Sequence, residues 1–153
     1  MYYNNTWNDW KSAFLQSVAI FNGKDSEGIN TKYITVFTVK ANSYGTLITY
    51  DKNYITLYGT GGSTSGTIQP AMFSNAFDIT EFKKLIVEVE SMTGSNCDIG
   101  FSNTWLHGSG NEHTISTGIN IIDISNYSGS YQLWISGRVN FSGTIKISKI
   151  SLQ

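Results

Sequence analysis

The sequence predicts an all-β fold, a jelly-roll-like antiparallel β-sandwich with a short N-terminal helix. Three observations predict it. Ser, Thr, Asn and Gly make up 64 of the 153 residues and only 14 % are charged, against about 25 % in an ordinary domain, so the Lys, Glu and Ala that build helical bundles are scarce. Beyond Ser17, apolar residues recur with a period of two in about ten short runs separated by Gly-, Ser- and Asn-rich turns. Finally, 40 % hydrophobic and 14 % aromatic residues at a net charge of -1 supply a core without self-repulsion, which excludes disorder and fits one domain.

Taken in order, residues 1–16 are expected to form an N-terminal helical segment and residues 17–153 the sandwich domain. Thr6 is placed to cap a helix with Asp9 as its acidic third residue, and Trp7, Trp10, Phe14 and Leu15 follow at helical spacing over residues 7–16. That apolar stripe suits an open end of the sheets, or, through Trp7 and Trp10, a partner chain. Strands are predicted at 18–22, 32–40, 46–50, 54–58, 66–72, 84–91, 97–102, 114–121, 131–136 and 143–152. Turn-rich stretches at 51–53, 59–63 and 91–96 separate some of them. Cys97 alternates in phase with Ile99 and Phe101 and reads as a buried small hydrophobe; a single cysteine forms no internal disulfide.

Two patterns sharpen the architecture. Asp78-Ile79-Thr80-Glu81-Phe82 and Asp123-Ile124-Ser125-Asn126-Tyr127 share Asp-Ile-(Thr or Ser)-x-(Phe or Tyr), and each precedes a strand. An Asp that bonds the backbone two residues on, with the Ile and the ring pinned to the core, makes a corner between sheets. The last strand has a phase slip, because Ile145 and Ile147 have one parity while Ile150 and Leu152 have the other. A β-bulge near Ser148-Lys149 lets both pairs point inward.

The series Phe77-Asp78-Ile79-Thr80-Glu81-Phe82-Lys83-Lys84-Leu85, the Ile99-Gly100-Phe101 strand, residues 122–131 and the closing segment 143–152 resembles jelly-roll domains in tail and receptor-binding proteins of Firmicutes phages and prophages. Those domains are similar to carbohydrate-binding modules of the β-sandwich type. The resemblance spans about residues 76–153 and rests on fold residues. It implies a non-enzymatic, oligomeric and often trimeric domain on a virion or outside the cell, in contact with host surface polysaccharide or with neighbouring virion proteins.

Composition excludes other partners. Dispersed Lys and Arg at near-zero net charge give no basic stripe for nucleic acid. No apolar run approaches the roughly 20 residues of a membrane span, and Met1-Tyr2-Tyr3-Asn4-Asn5 has neither the basic nor the apolar part of a signal peptide. No catalytic constellation stands out. The acids fall mostly on corners, turns and the solvent face of a strand, so no carboxylate pair flanks a cleft, and neither a Gly-x-Ser-x-Gly elbow nor a phosphate-binding loop is present. His107, Glu112 and His113 match no zinc spacing, so no cofactor is expected. A structural Ca²⁺ held by the segment Asn22-Gly23-Lys24-Asp25-Ser26-Glu27-Gly28 is the alternative.

Aromatic residues on polar faces are the remaining signal. With Ile55 and Leu57 in the core, Tyr54 and Tyr58 point outward, and Tyr50 is expected to join them across the hairpin as a sugar-stacking platform or as cross-strand packing. Trp105, in a Gly- and Ser-rich loop, is the expected ligand or partner anchor, with packing under the loop as the other reading. Trp134, out of phase with Leu133 and Ile135, is expected at a subunit contact. The functional expectation is recognition of bacterial surface carbohydrate. Two alternatives stand beside it, a decoration or baseplate component that assembles with sister subunits, and a carbohydrate-binding module of a secreted enzyme.

Overall fold

The computed structural model describes residues 17–40, 47–61, 70–138 and 141–153. The expected helix, with Trp7 and Trp10, lies outside them. Among the described residues there are twelve strands: β1 (Val18–Asn22), β2 (Gly28–Ile29), β3 (Phe37–Lys40), β4 (Leu47–Tyr50), β5 (Ile55–Thr60), β6 (Ala71–Asp78), β7 (Lys84–Gly94), β8 (Cys97–Ser102), β9 (His113–Ile115), β10 (Gly118–Asp123), β11 (Ser130–Gly137) and β12 (Ser142–Leu152). One sheet runs β10-β7-β12. Beyond β12 it forks, because β5 and then β4 flank its first half while β1 and then β2 flank its second half. The other sheet runs β3-β6-β11-β8-β9. The eight consecutive strands β5 to β12 therefore divide into β5-β12-β7-β10 and β6-β11-β8-β9, which is jelly-roll order.

Period-two patterning places the core between the sheets. In β7, Leu85, Val87 and Val89 face in while Glu88 and Glu90 face out. The phase slip in β12 is resolved by the expected bulge. Ile147 pairs with Val89 and Lys149 with Glu88, so Ser148 is the extra residue, and Ile145, Ile147, Ile150 and Leu152 are all buried. A second bulge breaks the pattern of β6, which runs to Asp78 where the sequence suggested an end at Met72. Phe73 pairs with Trp134 and Ala76 with Gln132, leaving Ser74 and Asn75 opposite Leu133 alone. The Leu133 N–H there bonds the Ser74 hydroxyl at 2.9 Å. The predicted strand 114–121 is two strands in different sheets. Gly118, at φ +100°, turns the chain between them, and the Asn120 side chain bonds both the N–H and the carbonyl of Ser116.

The two corners form as expected and also dock on each other. Asp78 Oδ1 accepts the Thr80 N–H at 2.9 Å, and Asp123 Oδ1 accepts that of Ser125 at 2.8 Å. Ile79 donates to the Gly129 carbonyl and Ile124 to that of Lys83. This reciprocal contact fixes the end of the sandwich where β10 and β11 meet the corner loops.

Candidate functional site

The outer face of the smaller sheet is covered by its own chain. All six residues of β8 are buried, although only Cys97, Ile99 and Phe101 face the main core. Segment 103–112 lies over the other face and builds a second apolar cluster from Ala71, Leu106 and Trp134, with Phe73 and Trp105 against it. Trp134 leaves the main core as the sequence implied. However, it is only 4 % exposed, stacked on Phe73 at 4.5 Å, edge-on to Trp105 at 5.4 Å, and bonded through Nε1 to the Ser102 carbonyl. The surface expected to meet a sister subunit is thus taken by the protein's own loop. Trp105 is half-buried in that packing.

A polar centre sits beneath the same segment. Asp98, fully buried, accepts a 2.6 Å bond from the Thr114 hydroxyl and a 3.2 Å bond from Arg138 through Oδ1. Its Oδ2 lies 3.0 Å from Arg138 Nε, which is not aligned as a hydrogen bond, and 3.6 Å from His107 Nδ1, beyond hydrogen-bond distance. His107 Nε2 reaches Ser136 Oγ at 2.9 Å. Serine, imidazole and carboxylate are thus ordered as in a hydrolase triad. Ser136 is 0 % exposed and its hydroxyl lies 3.1 Å from the carbonyls of Pro70 and Gly137, so no substrate carbonyl has a path to it. Glu112 folds back on its own segment, where the Gly108 N–H holds its carboxyl below the usual range. His107 belongs to the outer face, whereas His113 pairs with Ile99 on the inner one, which separates the two histidines. Among the described residues no three His, Cys, Asp or Glu side chains converge.

The expected tyrosine platform is divided. Tyr58 and Leu47 pair on the outer face of the larger sheet, where Tyr58 is 48 % exposed. Tyr54 joins that face, with Lys146 Nζ 5.3 Å from its ring centre. Its hydroxyl bonds Glu90, which raises its pKa. It borders a groove of about 360 Å³ with Lys24, Ser26, Asn53 and Glu90. Tyr50 does not join them. It pairs with Ile55, shares its inward face, and lies edge-on to Phe37 at 5.3 Å. In the Asn22–Gly28 segment the Asn22 amide N–H₂ donates to both Asp25 and Glu27, at 2.7 and 2.8 Å. A donor between the two carboxylates does not fit a bound Ca²⁺, which needs oxygen there.

A second concavity lies elsewhere, at the corner end between the sheets. A cleft of about 440 Å³ is lined by Gly110, Asn111 and His113 on one side, Asp123 and Asn126 on the other, and Tyr127 and Tyr131. The two tyrosine rings meet edge-to-face at 5.3 Å and rest against the core. Burial, then the neighbouring Tyr131, pushes the Tyr127 hydroxyl up. Bonds from the hydroxyl and N–H of Ser125 hold the Asp123 carboxyl below its ordinary range, so it stays ionised as an acceptor. Sequence alone makes Tyr127 a corner residue and assigns His113 no role beyond a missing zinc spacing, because the cleft assembles only when the second corner meets the segment before β9. No protein-family model matches the chain, and no curated protein is significantly similar to it.

Proposed function

We propose that the domain is a non-catalytic carbohydrate-binding module that recognises bacterial surface glycan, with the cleft at Tyr127 and Tyr131 as its site. The observation that carries this reading is the lining: two tyrosine rings beside one ionised carboxylate, two amides and an imidazole. An aromatic face takes the apolar C–H surface of a sugar ring, while carboxylate and amide groups receive and supply the hydrogen bonds of its hydroxyls. Asp123 favours neutral over anionic sugars. Such a role belongs on a virion or outside the cell, as in the phage tail and receptor-binding domains that the second half of the chain resembles, and it suits an oligomer, trimeric ones included, whose copies bind one polysaccharide together. The test is a bacterial polysaccharide array probed with wild type, Asn126→Ala and Tyr131→Ala, with circular dichroism to verify folding. Binding by wild type that falls about tenfold in both variants supports the reading; no binding by wild type, or equal binding by all three, overturns it.

A second reading, a structural virion component, is favoured by one observation. Ile119 and Ile121 on β10, an edge strand among the described residues, are 69 % and 64 % exposed on the outer face, where apolar side chains suit a sister subunit. Solution mass of wild type against Ile119→Thr/Ile121→Thr tests it, and a monomer in both cases removes it.

A further inference from the structure

The fork at β12 opens a groove on the outer face of the larger sheet. β5 stays with β12 as far as Ile147 and β1 joins it from Lys149, so Ser148 alone lies between the two neighbours. On the other side of β12, Lys146 pairs with Ser91 and Ile147 with Val89, which makes Glu90 an extra residue of β7, one pair away from the bulge at Ser148. The turn after β1 and the turn before β5 meet over this point. The Gly23 N–H bonds the Ser148 carbonyl at 2.8 Å, and a Cβ on Gly23 would lie 1.7 Å from the Asn53 carbonyl oxygen, so only glycine permits the contact. Ser26 donates to Asn53 Oδ1 at 2.9 Å across the junction, at φ +57°, the one left-handed non-glycine backbone among the described residues. Lys24 and Ser26 line one side of the groove of about 360 Å³, Asn53 and Tyr54 the other, and Glu90 the side of β7. The Tyr54 phenol proton goes to Glu90, whose second carboxylate oxygen remains an acceptor, while Ser26 occupies Asn53 Oδ1 and leaves the amide N–H₂ to donate.

We propose that this groove is a second ligand site of the domain, taking a neutral sugar unit by two adjacent hydroxyls: one donates to Glu90, the other accepts from the Asn53 amide, and the Tyr54 ring lies against the sugar's C–H surface. An acceptor beside a donor matches a pair of neighbouring hydroxyls, each of which both gives and receives a hydrogen bond. Charge favours a neutral ligand, because Lys24 and Glu90, the charged residues of the lining, have opposite signs, and Lys24 is already paired with Glu88. Bulges re-aim side chains beside binding sites, and left-handed non-glycine residues cluster at ligand clamps; two bulges and Ser26 converge on this one groove. The groove is distinct from the corner cleft. Glu90 lies six residues along β7 from Lys84, the partner of Asp123, so about 20 Å separates the two. The sugar chemistry here rests on the groove's own residues and not on the cleft reading.

Nuclear magnetic resonance of the full chain, titrated in turn with the methyl glycosides of glucose, galactose, mannose and N-acetylglucosamine to about 50 mM, tests it. Expected with at least one glycoside are saturable amide shifts of residues 23–26, 53–54 and 89–91, with affinity about tenfold weaker in Glu90→Ala and in Tyr54→Ala. The spectrum of each variant verifies its fold, and Glu90 is exposed, so Glu90→Ala decides the matter even if Tyr54→Ala unfolds. No saturable shift of these amides with any of the four glycosides, or equal affinity in wild type and Glu90→Ala, overturns the proposal. Shifts confined to residues 110–113 and 123–131 overturn it and leave the cleft reading standing, whereas groove shifts in a chain that binds no polysaccharide overturn the cleft reading alone.

Discussion

The Thr80 hydroxyl accepts the N–H of Gly129 at 2.8 Å, joining two corners 49 residues apart in the chain. The same hydroxyl donates to Asp78 Oδ1 at 2.6 Å, so one side chain closes its own turn and clamps the other. Thr80→Val keeps the shape and removes both bonds. We expect it to cost about 1–2 kcal/mol in urea unfolding with an unchanged slope, and Thr80→Ser to recover most of that.

Acid weakens the same corners. The carboxyls of Asp78 and Asp123 lie below the ordinary 3.8 because the hydroxyl and N–H of Thr80 and of Ser125, respectively, bond them. A folded-state pKa below the unfolded one gives stability that is complete above the unfolded value and is lost as pH falls through the folded one. The melting temperature is therefore expected to drop steeply below about pH 4, and less steeply in Asp78→Asn/Asp123→Asn.

Trp134 separates packing from assembly. Trp134→Ala opens a cavity between Phe73 and Trp105, and about 3–5 kcal/mol of stability is expected to go with it. A subunit contact behaves otherwise, changing solution mass while leaving monomer stability intact.

Deletion of Ser148 removes the residue that reverses parity in β12. Ile150 and Leu152 are then driven to the outer face, or Ile145 and Ile147 are. We expect no cooperative thermal transition by circular dichroism, whereas Ser148→Gly, which keeps the count, retains one.

Cys97 reports global opening. Burial, aided by the Asp98 charge, pushes its thiol far up, so the folded chain is expected to resist a disulfide reagent at neutral pH. Labelling in urea is expected to follow the unfolding curve.

Bulges show what was legible and why. The slip in β12 was readable because large aliphatic side chains mark both parities. That in β6 was not, because Ser74, Asn75 and Ala76 have the composition of a turn, and only their pairing with β11 identifies a strand. The face of Tyr50 depends on hairpin register, which Asp51 sets by accepting the N–H groups of Asn53 and Tyr54, a tertiary detail that alternation alone does not contain. The corners were legible because their chemistry is local. The cleft was not, since Asn111 and His113 meet Asn126 and Tyr131 only after the chain crosses sheets at Gly118.

The fork at β12 also sets the order of events during folding. Its residues bond β7 on one side and both β5 and β1 on the other, and Leu152 pairs with Val18 from the opposite end of the described chain. Three neighbours wait for a strand made after all of them, so the larger sheet closes only once β12 itself has emerged from the ribosome. Such long-range closure belongs to the slow end of two-state folding, on the order of milliseconds to seconds. Until β12 arrives, the facing edges of β7, β5 and β1 stand open, and a chain stalled at that point is the form most prone to pair with its neighbours.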